Sequence, residues 1–385
     1  MNTKLPTPDA EASAHSASLS TLIKNTIDSN EGWIDFAHYM ELALYAPGLG
    51  YYSGGAKKFG QSGDFVTAPE ISPLFAQTLA RQVAQVIQAG HHDVLELGAG
   101  TGRLALELLT ELEKLNQLPE RYLIMEVSAH LRGVQQETLA THLPSSLYAK
   151  VQWLDTLPEN FSGVVLGNEV LDALPVHIVK TTEQGMIELG VAYDQNGFHW
   201  AERVLTNPYL KKFVAEIELP TGYTTEVCLA ASGFLSSLCA MLDKGLIILV
   251  DYGFPRREYY HPQRSQGTLM CHYRHYSHND PFYYPGLQDI TAHVDFSYVA
   301  QTALANGVNL KGYCGQAQFL INCGITELLS RVSPHDMAAY VPLASQAQKL
   351  LSPAEMGELF KLIAFTKSFD EDLIGFNQGD KSHTL

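Results

Sequence analysis

The stretch Val94-Leu95-Glu96-Leu97-Gly98-Ala99-Gly100-Thr101-Gly102 constrains this chain more than any other. An apolar run ends in an acid and then in glycines at alternate positions, and Leu104, Leu108, Leu112 and Leu115 follow at helical spacing. Strand, glycine turn and helix in that order are how an open α/β sheet presents a nucleotide-like ligand above its strand ends. Glycine tolerates positive φ and lets backbone approach a ligand with no Cβ in the way. The helix start adds N–H groups that no intrahelical carbonyl takes. A dinucleotide fingerprint would need glycine where Arg103 stands, so the spacing disfavours a dehydrogenase. A tight turn without ligand is the plain alternative, but one glycine ordinarily serves a turn.

The rest of the chain repeats the alternation. Apolar strand candidates lie at Val94–Leu97, Tyr122–Val127, Ala149–Leu154, Val164–Asn168 and Leu246–Tyr252, with helices expected after the first, second and fourth. That order predicts a doubly wound, mostly parallel α/β sheet. Val308–Tyr313 and Gln318–Asn322 read as a closing strand pair, preceded by a helix over Phe296–Ala305 that Asn306-Gly307 stops. Upstream, residues 1–16 read as disordered and 17–70 as a helical and loop segment, with one helix over Leu19–Tyr45. Ser72 as cap and Pro73 at the first helical position start a helix to about Gln88. The main domain covers 71–330, with insertions at 176–244, turning at Asn196-Gly197, and at 254–293, a loop rich in Tyr, His, Pro and Arg. Two helices are expected over 331–370, opened by Ser333-Pro334-His335-Asp336 and Ser352-Pro353-Ala354-Glu355, before a tail over 371–385.

Charge narrows the partners. A formal net charge of −16 over 385 residues argues against a nucleic-acid binder, which needs a basic face for phosphates. No apolar run approaches the length that spans a membrane. Cys228, Cys239, Cys271, Cys314 and Cys323 are scattered, odd in number and without a C-x-x-C pair, which reads as reduced thiols. The first residues lack an apolar core and carry no arginine, so the expectation is a bacterial-type cytoplasmic protein.

Candidate chemistry sits at the strand ends. Glu126, closing the second strand, can accept from ribose hydroxyls, or it is a solvated acid. Asp155, after Trp153-Leu154, could accept from an adenine amino group. At the fourth strand end, Asn168, Glu169 and Asp172 stand close together. Paired carboxylates suit a cation: they orient a guanidinium by bidentate pairing and help remove its proton. The same acids could instead cap a following helix. Asp289, His293 and Asp295 could line an acceptor pocket or form a cap network. The histidines of Cys271-His272-Tyr273-Arg274-His275-Tyr276-Ser277-His278 are at three-residue spacing, but no regular helix aligns them, so no metal is expected.

The pattern E-x-G-x-G-x-G resembles the first motif of class I S-adenosylmethionine (SAM) methyltransferases. Gly63-Asp64-Phe65-Val66-Thr67-Ala68-Pro69-Glu70, Glu96–Gly102, Asn168-Glu169-Val170-Leu171-Asp172-Ala173-Leu174-Pro175-Val176 and Asp289–Phe296 together resemble the MidA-type methyltransferases, in order from about Trp33 to Cys323. The resemblance implies a Rossmann-like class I fold with inserted substrate elements, SAM as cofactor, and a protein arginine as acceptor. It carries over Glu96, Gly98, Ala99, Gly100, Gly102 and Glu126 as cofactor residues, and supplies no catalytic residue. A small-molecule methyltransferase and a SAM-binding assembly chaperone without turnover remain as alternatives. The oligomeric state is left open.

Overall fold

A computed structural model describes residues 5–54 and 66–385. Gly63, Asp64 and Phe65 of the first family-like motif, and Gly55 of the glycine and aromatic loop, lie outside the described residues. The chain forms two compact units from discontinuous segments: Met1–Phe65, Leu171–Phe234 and Arg256–His293 make one, and Val66–Val170, Leu235–Pro255 and Val294–Leu385 the other.

The second unit holds a seven-stranded sheet: β1 Asp93–Leu97, β2 Arg121–Met125, β3 Val151–Leu154, β4 Phe161–Asn168, β5 Leu242–Phe254, β6 Asn309–Gly315 and β7 Phe360–Lys367. Their order across the sheet is β3-β2-β1-β4-β5-β7-β6. Pairing is parallel from β3 to β5, while β7 runs antiparallel to both neighbours. The two-residue strand Val294–Asp295 extends the end of β5 in parallel. The order reverses between β1 and β4, the switch point where ligands bind in such sheets. Central strands covered on both faces are mostly apolar, and all five residues of β1, Asp93 and Glu96 included, are buried. Amphipathic helices Pro73–Gln88 and Arg103–Lys114 bury Leu79, Val83, Leu104, Leu108 and Leu112 in the core of this unit. Ser72 caps the first of them by accepting from the Leu74 N–H, as the Ser-Pro signal predicts.

In the other unit, the helices Ala10–Ser29 and Phe36–Tyr45 share a core with an antiparallel sheet. Its strands are Ile34–Asp35, His177–Thr182, Gly185–Asp194, Gly197–Val204 and Thr224–Val227. Asp194 pairs with Gly197, so the two turn residues are Gln195-Asn196, one position before the expected Asn196-Gly197, and Gly197 already opens the return strand. The insertion after residue 254 is less loop-like than its composition suggests: Met270–Tyr273, Tyr276–His278 and Asp289–Thr291 form a three-stranded sheet.

Several sequence expectations are corrected. Residues 10–16 are helical, because Asp9 caps at Ala12 and Leu19, Ile23 and Ile27 bury one stripe. The expected helix Leu19–Tyr45 is broken where Glu31 and Gly32 take positive φ and Ile34–Asp35 joins the sheet. Gln318–Asn322 is part of the helix Gln316–Asn322, burying Phe319 and Leu320, rather than a strand. Over 331–370 only the first helix exists, and it starts at Met337 with Asp336 as cap instead of Ser333. The second is replaced by β7, whose apolar run is buried in mid-sheet. The tail packs: Leu373 and Phe376 join the core, and the Asp380 carboxylate accepts from the Tyr313 N–H at 2.8 Å.

Candidate active site

The loop after β1 rises in three left-handed steps, with φ of 61° at Gly98, 53° at Gly100 and 83° at Gly102. A Cβ on Gly98 would stand 3.2 Å from Val170, and one on Gly102 3.3 Å from the Gln135 backbone, but at Gly100 nothing lies within 4 Å. Gly98 and Gly102 therefore serve φ and packing, while Gly100 faces open space. Ala99, between them, is buried, and its carbonyl accepts from the Gly102 N–H at 2.8 Å as the helix begins.

Beneath the loop, Glu96 is buried and accepts from the Tyr122 hydroxyl at 2.6 Å. Burial pushes its carboxyl up to about 7, against the lowering effect of that hydrogen bond. Tyr122 pairs with Val94 across β1 and β2, which sets its ring diagonal to Glu96.

Glu126, just past β2, is held at both oxygens. Its Oε1 accepts from the Ser128 N–H and its Oε2 from Gln135 Nε2, each at 2.9 Å. Burial raises its carboxyl above the ordinary range. Gln135 also donates to the Gly100 carbonyl at 3.0 Å and accepts from the Trp153 indole at 2.9 Å. One fully buried amide thus ties the glycine loop, Glu126 and β3 together. Val127, beside Glu126, leaves 74% of its surface exposed. Asp155 lies at the surface, its carboxylate 2.5 Å from Arg132 Nη1. The Thr101 hydroxyl donates to Glu70 on the short helix Ala68–Ile71.

Sequence reasoning missed Gln135, Tyr122 and Glu70 as parts of this network. Gln135 leaves a readable trace: it interrupts the buried stripe Leu131, Gln135, Leu139. A polar group in an apolar stripe has to find partners.

Asn168 ends β4 and donates from Nδ2 to Glu169 Oε1 at 3.0 Å. Its own Oδ1 is buried and accepts from none of the described residues. Glu169 takes φ of 54°, a region that non-glycine residues enter at a cost, while its N–H donates to the Val250 carbonyl at 2.8 Å. No helix follows. Residues 169–176 are bends and turns, so the helix expected after the fourth strand is absent and these acids cap nothing there.

The chain passes from one unit to the other between Val170 and Leu171, so Glu169 belongs to the sheet unit and Asp172 to the other. Asp172 is buried, and its carbonyl accepts from the Ala292 N–H at 3.0 Å. In the same unit Asp289 accepts from the Tyr52 hydroxyl at 2.9 Å. His293 there donates its N–H to Thr268 Oγ1 at 3.1 Å, and burial pushes its imidazole down to about 4, keeping it neutral at pH 7. Asp295 lies in the sheet unit and caps the helix Phe296–Ala305 by accepting from the Tyr298 N–H at 3.1 Å. His272 and His278 lie on the two strands of a hairpin whose turn is Arg274-His275.

Residues 78–314 match the family of S-adenosyl-L-methionine-dependent methyltransferases. Among curated proteins, the chain is 31% identical to the mitochondrial protein arginine methyltransferase NDUFAF7 of Danio rerio, over 86% of this chain and 83% of that one. It is also 31% identical to the same-named protein of Mus musculus, over 86% and 81%. Among solved structures, a protein from Burkholderia thailandensis described as a methyl transferase, bound to S-adenosyl-homocysteine, superposes with a TM-score of 0.96 at 52% identity, covering 99% of this chain and all of that one. The expectation of a bacterial-type cytoplasmic protein is corrected by the curated relatives, which are named as mitochondrial.

Proposed function

The chain belongs to the S-adenosyl-L-methionine-dependent methyltransferases, and from that premise we propose that it methylates an arginine side chain of a protein. The observation that carries the acceptor half is Glu169: a carboxylate in left-handed backbone at the end of β4, fastened by Asn168 and followed by no helix. The names of the curated relatives point the same way.

The residues around the glycine loop fit the cofactor. Gly100 faces open space where a Cβ would intrude, and buried Glu126 is fixed by two N–H groups for hydroxyl recognition. Val127 offers an exposed apolar surface beside it for a base. The glycine loop and Glu96 would hold the methionyl end, Glu126 the ribose, and Asp155, once turned from Arg132, the adenine amino group. When bound, SAM supplies a methyl group on a sulfonium, already activated for displacement. A guanidinium stays protonated at pH 7 and is a poor nucleophile. Glu169 would pair with it, aim one nitrogen, and take the proton that nitrogen gives up.

The test is transfer of labelled methyl from SAM into a lysate of cells lacking this gene. The expected product is labelled protein that hydrolyses to methylarginine. Label confined to small molecules overturns the protein acceptor, and no label despite tight SAM binding favours an assembly chaperone without turnover. Glu169→Gln should lower kcat by at least about a hundredfold at unchanged SAM affinity. Full activity in that variant removes Glu169 from the mechanism.

A further inference from the structure

The segment ending at Glu70 has no part in the cofactor site as assigned above, yet it reaches the glycine loop. Ala68 and Pro69 are buried and anchor the short helix Ala68–Ile71, whose start is extended backbone at Thr67. From that anchor the Glu70 carboxylate accepts a hydrogen bond from the hydroxyl of Thr101, the residue next to Gly100. Both partners lie in the sheet unit.

The methionyl end of SAM carries two opposite charges. Its carboxylate suits the start of the helix Arg103–Lys114, where N–H groups and the helix dipole favour an anion. That same field repels the ammonium, which needs an anion or several carbonyls close by. Glu96 supports the methionyl end from beneath the loop but serves poorly as the ammonium's anion. It is buried, accepts a hydrogen bond from the Tyr122 hydroxyl, and is half protonated near pH 7. Glu126, fixed by an N–H at each oxygen, is assigned to the ribose hydroxyls. Glu70 differs from both. One oxygen accepts a hydrogen bond from the Thr101 hydroxyl, and among the described residues the other accepts none. A carboxylate offers about four lone-pair positions, so capacity remains on the loop side.

We propose that Glu70 is a cofactor-binding residue that receives the ammonium of the methionyl group, with Thr101 holding its carboxylate against the glycine loop. The proposal rests on the placement of SAM at that loop. It gives the Val66–Glu70 part of the first family-like motif a function: selecting adenosyl sulfur compounds that carry an amino acid over truncated nucleosides.

The experiment compares two probes by calorimetry on the full-length chain. S-adenosyl-homocysteine carries the amino acid, and 5′-methylthioadenosine does not. Glu70→Gln keeps shape and an acceptor for Thr101 but removes the charge. Losing a charge-assisted contact should weaken S-adenosyl-homocysteine by roughly ten- to a hundredfold. Binding of 5′-methylthioadenosine should change by less than about twofold, which also reports that the loop is folded. Thr101→Val should shift the same ratio in the same direction, by less. Equal weakening of both probes overturns the proposal, because Glu70 then only shapes the loop. No change in either probe also overturns it. A wild-type chain that bound neither probe would overturn the cofactor placement itself.

Discussion

At Glu96 the environment of one side chain sets a property of the whole protein. Its folded carboxyl titrates near 7 and its unfolded one near 4.5, so the folded state binds the extra proton between those values. Such a group contributes stability that is complete below pH 4.5 and is lost as pH rises through 7. Glu96→Gln cannot ionise and should escape that loss. Relative to wild type it should gain about 3 kcal/mol between pH 4.5 and pH 8, read by urea unfolding at both values. A pH-independent difference would mean that the carboxyl titrates normally. Gly100 makes a second residue-scale case. Alanine there meets no protein atom within 4 Å but must hold φ of 53°. Gly100→Ala should cost about 1 kcal/mol of stability. It should weaken S-adenosyl-homocysteine by at least about tenfold, because the new methyl enters the cradle. Unchanged affinity would remove Gly100 from the cofactor site.

Elements were legible where local pattern and tertiary role agree. The strand-glycine-helix unit at 93–114 was readable because its apolar runs, its glycines and its helical spacing all point to one structure. β7 was not readable. Its run Phe-Lys-Leu-Ile-Ala-Phe-Thr-Lys has no two-residue alternation, since both faces are covered, and a capping-box signal at Ser352 suggested a helix upstream. Ser352 instead ends the helix Met337–Leu351. Only pairing with β5 and β6 makes this run a strand. The same reasoning predicts what a central cavity costs. Ile363 is fully buried and opposes Leu249 and Tyr313. Ile363→Ala should destabilise by about 2–5 kcal/mol in equilibrium unfolding, and a loss below about 1 kcal/mol would place it outside the core.

At the scale of the whole molecule, cofactor binding and stability are linked. A ligand that binds only the folded chain stabilises it by RT ln(1 + [L]/Kd), about 2.7 kcal/mol at one hundred times Kd. S-adenosyl-homocysteine at that excess should raise the unfolding midpoint accordingly, and an unmoved midpoint would deny binding to the folded state. The sequence alone determined the parallel sheet, the glycine loop after its first strand and the acids at the strand ends. These follow from periodicity and backbone conformation over a few neighbouring residues. It also marked a hairpin turn to within one residue, at Gln195-Asn196, and Ser72-Pro73 as a helix start, for the same local reason. Tertiary structure alone decided that β7 enters between β5 and β6, and that Gln135 joins Gly100, Glu126 and Trp153. Each of these depends on groups distant along the chain meeting where water is excluded, and burial raises the value of every contact made there.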